Sequence, residues 1–202
     1  MTDQYTTLAD LASSEYKEKG SRFLTFAYSV ANPDEIRERL DALRKQHPKA
    51  NHHCYAWRLG NDGNQYRAND DGEPNNTAGK PILGQIDSFG LSNVLVVVVR
   101  YFGGTKLGAS GLIAAYRTGA AETLGKAAFV RKRFTNLVDA ECSYTLFGKL
   151  QRIVEAAEAK IIAQKFDTTI HVTLSVPRDS ILALTEALEQ AGVELPNYTQ
   201  TQ

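Results

Sequence analysis

The spacing of apolar and polar residues changes several times along the chain, and each change marks an element. Val94-Leu95-Val96-Val97-Val98-Val99 is a continuous, mostly β-branched run, which predicts a strand buried on both faces. Two strand-like pieces lie between Glu15 and Val30, split at Lys19-Gly20-Ser21. In the second, Phe23, Thr25, Ala27 and Ser29 alternate with Leu24, Phe26, Tyr28 and Val30, so both faces carry apolar groups. The period then becomes helical. Asn32 suits an N-cap, Pro33 the first helical position and Asp34-Glu35 the first turn. Ile36, Leu40 and Leu43 mark one face, and His47-Pro48 ends the helix. His52 to Leu59 and Asn64 to Arg67 read as a hairpin around Asn61-Asp62-Gly63. A polar loop from Asp70 to Asn76 leads to a helix over Gly79 to Ser88, with Thr77 as its expected cap and Pro81 in its first turn. After the valine run, Ser110 is the expected cap of a helix over Gly111 to Gly125, with Leu112, Ala115 and Gly119 as a small-residue face. Residues 1–13 are polar and small and are expected to fray.

The pattern breaks at Val130-Arg131-Lys132-Arg133. That break places a linker at about 127–133 and predicts two domains, over 1–130 and 134–202. The second reads as a strand (Thr135 to Ser143), a helix (Leu146 to Ala159), two strands (Lys160 to Phe166, Thr168 to Val176), a helix (Asp179 to Ala191) and a short strand near Val193. This βαββαβ order predicts a ferredoxin-like sandwich.

Composition narrows the function classes. The 202 residues are 43% apolar, enough for a core, and 23 basic residues balance 23 acidic ones. No global charge drives the chain toward nucleic acid or acidic membranes. The balance is uneven, however: residues 1–132 hold 17 basic and 14 acidic groups, and the remainder holds 6 and 9. An anionic partner is therefore expected at the first domain. Cys54 and Cys142 lack metal-ligand spacing and read as reduced thiols, since no signal peptide is seen. No apolar run reaches bilayer length, so a cytoplasmic protein without a membrane partner is the expectation.

Three segments could carry chemistry. Asp70, Asp71 and Glu73 put three carboxylates on one loop, the residue type for a Mg²⁺ site or an acid/base pair, but also for a solvated turn. Gly72 to Lys80 resembles a phosphate loop only loosely, because Pro81 stands where Ser or Thr should bind the metal and the strand comes after the loop. An anion cradle helped by Lys80 survives that test. Gly103-Gly104-Thr105-Lys106-Leu107-Gly108-Ala109-Ser110-Gly111 follows a buried strand and opens a helix. Such a turn can hold phosphate, or simply allow close backbone packing. Arg22, Arg58, Arg67, Lys80, Arg100, Lys106 and Arg117, interleaved with Tyr66, Tyr101, Phe102 and Tyr116, are residue types that track a nucleic-acid backbone and stack bases, or else solvated charges and core aromatics. His52-His53-Cys54 has metal-type residues, but neighbours on a strand point to opposite faces, so His52 and Cys54 could share a site and His53 could not; a packed strand start is the favoured reading, with His52 beside the acidic loop as a general-base candidate. The sequence singles out no catalytic residue, cofactor motif or metal-ligand set.

HHCYAWR at 52–58, DDGEPNNTAGKPIL at 70–83 and VVVVRYFGGTKLGASGLIAAY at 96–116 resemble the motifs of the IMPACT (YigZ) family, and the chain resembles its bacterial two-domain members. The resemblance implies an α+β protein: a ribosomal protein S5 domain 2-like N-terminal domain, with an uncommon left-handed βαβ crossover, followed by a ferredoxin-like C-terminal domain similar to domain V of elongation factor G. It also implies translational regulation, because eukaryotic relatives act through a partner of an initiation-factor kinase, with an accessory domain not recognised here.

Two readings follow. The first is a non-enzymatic module that binds RNA or the ribosome and tunes translation, with Arg22, Lys80, Arg100, Lys106, Ser110 and Arg117 on phosphates, Gly103 and Gly104 at the turn, and Tyr101 or Phe102 stacking. The second is a small-ligand protein or metal-assisted enzyme using Asp70, Asp71 and Glu73 with the glycine-rich helix starts. A protein-interaction module is a third option.

Overall fold

A computed structural model describes residues 4–60 and 65–196. The chain divides into two compact units, residues 1–132 and 133–202. The first contains β1 (Gln4–Leu8), β2 (Ala12–Glu18), β3 (Ser21–Ser29), α1 (Pro33–Gln46), β4 (His52–Leu59), β5 (Gln65–Asn69), α2 (Gly79–Ser88), β6 (Val94–Tyr101), α3 (Gly108–Gly125) and β7 (Phe129–Arg133). Five strands form one sheet in the order β2-β3-β6-β4-β5, and every ladder in it is antiparallel.

The valine run is the central strand, β6. Val94, Val96 and Val98 pack with Ile82 and Ile86 of α2 and with Leu112, Ala115 and Tyr116 of α3. Leu95, Val97 and Val99 pack with Ile36, Leu40 and Leu43 of α1. A continuous apolar run usually signals a parallel sheet. Here it arises in an antiparallel sheet because helices cover both faces. Since β3 and β4 both run antiparallel to β6, they are parallel to each other, and α1 connects them.

Local signals account for α1. The Asn32 side chain accepts from the Glu35 amide at 3.0 Å, and the Glu35 carboxylate accepts from the Ala31 amide at 2.9 Å. The other two helix starts differ from the expectation. The Thr77 hydroxyl donates to the Pro74 carbonyl at 2.6 Å instead of capping α2. The α3 helix begins at Gly108, and Ser110 lies inside its first turn without capping it. The small-residue face of α3 has a steric cause: a Cβ on Gly119 would stand 2.9 Å from Thr25 Oγ1.

The N-terminus is a strand where fraying was expected. β1 pairs with β7, and Leu8 is fully buried. The Ala9 amide donates to the Ala128 carbonyl and the Ser92 amide to the Thr6 carbonyl. The expected linker at 127–133 is therefore largely the strand β7. Its five residues are all exposed, so their charges stay in water while the backbone pairs. The hairpin turn expected at Asn61-Asp62-Gly63 lies outside the described residues.

The second unit contains β8 (Thr135–Cys142), α4 (Tyr144–Ala156), β9 (Lys160–Phe166), β10 (Ile170–Pro177) and α5 (Ile181–Gln190). The sheet order is β8-β10-β9, antiparallel throughout. The strand expected near Val193 contracts to one antiparallel bridge between Glu194 and Glu141 of β8. Together these give the ferredoxin-like arrangement. Val138, Ala140, Ile170, Val172 and Leu174 pack with Leu150 of α4 and Leu184 of α5.

Candidate functional site

The carboxyl-terminal end of β6 meets the 70–78 loop and the start of α3. Asp70 fills the N-terminus of α2: its Oδ1 accepts from the Ala78 and Gly79 amides, each at 2.9 Å, and its Oδ2 accepts from the Asn76 amide at 2.9 Å. The chain's own carboxylate thus occupies the place where an external anion would sit. Gly79 has to be glycine, because a Cβ there would strike the Asn69 backbone. Asn76 takes a positive φ of 64°, a conformation asparagine tolerates better than most residues.

Asp71 turns the other way. Its Oδ2 accepts from the His53 amide at 2.6 Å, and its carbonyl accepts from His52 Nδ1 at 2.8 Å. That bond puts a proton on His52 Nδ1 and leaves Nε2 facing Glu73 Oε1 at 3.8 Å. Burial holds His53 below its usual pKa, against the field of Asp71. The three carboxylates of the loop therefore serve three different sets of partners.

Glu73 is the centre of a buried polar chain. Its Oε1 accepts from Arg100 at 2.5 Å and from the Tyr116 hydroxyl at 2.8 Å. The Cys54 thiol lies 3.2 Å from that hydroxyl and 3.0 Å from the Asp70 carbonyl. Burial pushes both the Cys54 thiol and the Tyr116 hydroxyl far up in pKa. Both stay protonated and act as donors. Glu73 and Arg100 side chains are only 4% and 6% exposed, so each charge depends on the other.

Arg100 is held from several sides. It lies 5.3 Å from the Phe23 ring centroid and 5.7 Å from that of Phe102, within cation–π reach. A second nitrogen is 3.3 Å from Ser21 Oγ. Its Nε is buried and has no hydrogen-bond partner among the described residues. Glu73, Pro74, Arg100, Phe102, Lys106 and the first turn of α3 line a cleft of about 360 Å³. Among the described residues no side chain is seen to cap the α3 N-terminus, which starts after Leu107. It is the counterpart of the α2 terminus, without the internal carboxylate.

The glycine-rich turn therefore has mixed roles. A Cβ on Gly103 would collide with the Gly20 carbonyl and the Ser21 amide, so Gly103 serves close backbone packing. Gly104 and Gly108 adopt φ of +87° and +71° with open space around them, so they shape the turn itself. The remaining expected contact residues are dispersed. Arg22 is exposed on β3, 2.7 Å from Glu15 and 5.9 Å from the Tyr101 ring. Tyr101 is tied to His47 by its hydroxyl at 3.0 Å. Phe102 is 47% exposed. Lys80 is exposed on α2, and Ser110 and Arg117 on α3. Sequence reasoning missed Ser21 as a member of the site and gave Tyr116 and Cys54 different roles, Tyr116 as an aromatic among the basic residues and Cys54 as a thiol on the His52 face of a strand. An isolated tyrosine in a helix carries no local sign that its hydroxyl reaches a glutamate forty-three positions away.

A family model described as the Impact N-terminal domain matches residues 19–124, the segment that contains this entire constellation. The chain belongs to the IMPACT family. A second model, a domain of unknown function, matches residues 141–192. Among the relatives, an IMPACT family member from Haemophilus influenzae is 33% identical over 178 residues, 87% of this chain and 86% of that one. The member YvyE from Bacillus subtilis is 36% identical over 151 residues, 75% of this chain and 70% of that one. A protein of Saccharomyces cerevisiae named as an IMPACT homolog is 38% identical over 102 residues, 48% of this chain and 39% of its own length. The crystal structure of a hypothetical protein aligns over 100% of both chains at 26% identity with a TM-score of 0.76. The IMPACT match thus spans both units, and the two-unit α+β architecture is shared with that structure. Among the described residues no helix is long and apolar enough to cross a membrane.

Proposed function

We propose that this IMPACT protein is a non-enzymatic regulator of translation that binds RNA on the ribosome through the α3 end of its first unit. One observation carries the reading. The uncapped α3 N-terminus, Lys106 and the exposed ring of Phe102 surround one cleft next to the buried Arg100. Backbone amides at a helix start, a free cation and an aromatic face are the elements that hold phosphate and stack a base. The excess of basic residues over residues 1–132 adds to this. The IMPACT resemblance to translation-factor domains and to eukaryotic regulators supplies the translational context.

The acidic-loop alternative draws less support, because Asp70 spends both oxygens on backbone amides. Binding of the full chain to ribosomes and to single-stranded RNA, followed against salt, tests the proposal. Each phosphate contact on a single strand contributes a slope of about −0.7 in log K against log salt. Lys106→Ala should weaken binding and flatten that slope by roughly one contact. Absence of binding at low salt, or affinity indifferent to salt, overturns the reading.

A further inference from the structure

We infer that the cleft at the start of α3 is a pocket for a phosphate monoester: a nucleoside monophosphate, free or as the phosphorylated end of an RNA. The inference rests on the reading above and narrows it to one chemical group.

The two helix starts provide the first argument. They lie in the same unit, and α2 and α3 pack against the same face of the sheet. At α2, Asp70 saturates the terminal amides. At α3, no side chain of the described residues is seen to do so, Leu107 included, and the terminus lines the cleft instead. A helix start without a cap leaves its first amides needing an acceptor.

The second argument is independent. Arg100 is a buried side chain that lines the same cleft, and its Nε has no partner among the described residues. Buried donors of this kind are normally satisfied. A ligand oxygen in the cleft would bring an acceptor to the side of Arg100. Lys106, also on the cleft and exposed, forms no ion pair among the described residues.

Charge and size select the ligand. Glu73 also lines the cleft, but its charge is matched by Arg100. Lys106 and the α3 dipole are then the surplus, and that surplus is positive. Among the described residues only Oε1 of Glu73 is seen engaged by protein donors, which leaves Oε2 to accept from a ligand hydroxyl or amine. Phe102, Leu107 and Leu112 supply an apolar wall. A volume of about 360 Å³ is in the range of small-molecule sites and exceeds what a bare phosphate needs. A monoester, with its terminal oxygens free to meet the amides, enters an end-on cleft without threading a chain through it.

The test uses the full chain and four probes: inorganic phosphate, adenosine 5′-monophosphate, adenosine, and one RNA oligonucleotide carrying either a 5′-phosphate or a 5′-hydroxyl. Adenosine 5′-monophosphate at a hundredfold excess over its Kd should raise the Tm of the first unit by about 5–10 °C. Phosphate should give a smaller rise and adenosine none. Ala109→Asp places a carboxylate on the exposed first turn of α3. That variant should unfold at or above the wild-type temperature while losing the shift, an outcome that a folding defect cannot mimic. A preference of at least tenfold for 5′-phosphorylated RNA, erased by Ala109→Asp, identifies an RNA end as the source. A nucleotide shift without that preference identifies a free small molecule. Equal shifts with adenosine and its monophosphate, or a shift retained in Ala109→Asp, overturn the inference. RNA binding with a salt slope but no response to monophosphates defeats this inference alone. A nucleotide shift without RNA binding defeats only the RNA reading.

Discussion

Glu73→Ala should be among the most damaging single changes in the first unit, for a reason that a second substitution can expose. The variant removes the acceptor of Arg100 and of the Tyr116 hydroxyl in one step. Arg100 stays 6% exposed, so its charge cannot recover water without opening the sheet end. Removing one partner of a buried ion pair costs about 3–5 kcal/mol. The lost hydroxyl acceptor adds about 1 kcal/mol or more. With a urea m-value of about 1.5 kcal/mol/M, the midpoint should fall by roughly 3–4 M. Trp57 is the sole tryptophan of the chain and sits on β4, so its fluorescence follows this unit and not the other. Adding Arg100→Met removes the stranded charge. The double variant should recover most of the loss, because apolar replacement of a buried pair is often neutral or stabilising. If Glu73→Ala costs less than about 1 kcal/mol, or if the double variant is as unstable as the sum of the single ones, the buried-pair account is refuted.

The remaining expectations follow from other parts of the structure. Gly103→Ala should destabilise the first unit by about 3 kcal/mol in urea unfolding, because its Cβ meets the backbone of Gly20. Gly148→Ala, on an exposed position of α4 with open space around it, should stabilise the second unit by about 0.5–1 kcal/mol in thermal melts. Asp70→Ala removes the acceptor of three amides and should cost about 2 kcal/mol, with Asp70→Asn recovering part of it. Burial holds His53 below its usual value of 6.5. The unfolded chain therefore binds the proton first, so stability is full above that value and falls as pH drops toward the folded pKa; His53→Phe should flatten this part of a stability–pH curve. Cys54 and Cys142 are both buried with raised pKa values. A disulfide reagent should label neither at a useful rate in the native protein, and both should react in denaturant.

Much of the candidate site was legible as segments and illegible as a site. The motifs at 52–58, 70–83 and 96–116 mark the family and all contribute to it. Their mutual contacts had no local signature. Glu73 reads as one of three loop carboxylates and Arg100 as a phosphate contact, yet the two neutralise each other across twenty-seven positions. Asp70 read as a metal-type carboxylate and is a helix cap supplied from eight and nine residues away. Gly103 read equally as a phosphate turn or a packing glycine. Only the position of Gly20 decides for packing at that residue, while the cleft beside it keeps the phosphate reading for the α3 start.

By itself, the sequence determined the elements whose stabilising partners lie nearby. The α1 cap is closed by residues three and four positions apart. The valine run is apolar enough to demand burial on both faces wherever it is placed. The strand–helix alternation of the second unit is written in its periodicity. Tertiary structure decided everything that depends on a distant partner. It turned residues 4–8 into a strand by offering them β7, because an unpaired polar segment gains nothing from extended backbone until a ladder exists. It closed one helix start with the chain's own carboxylate and left the other open to a cleft. Local propensity acts over a few residues. Desolvation and charge pairing depend on what the fold brings together, and in this protein those two forces shape the site.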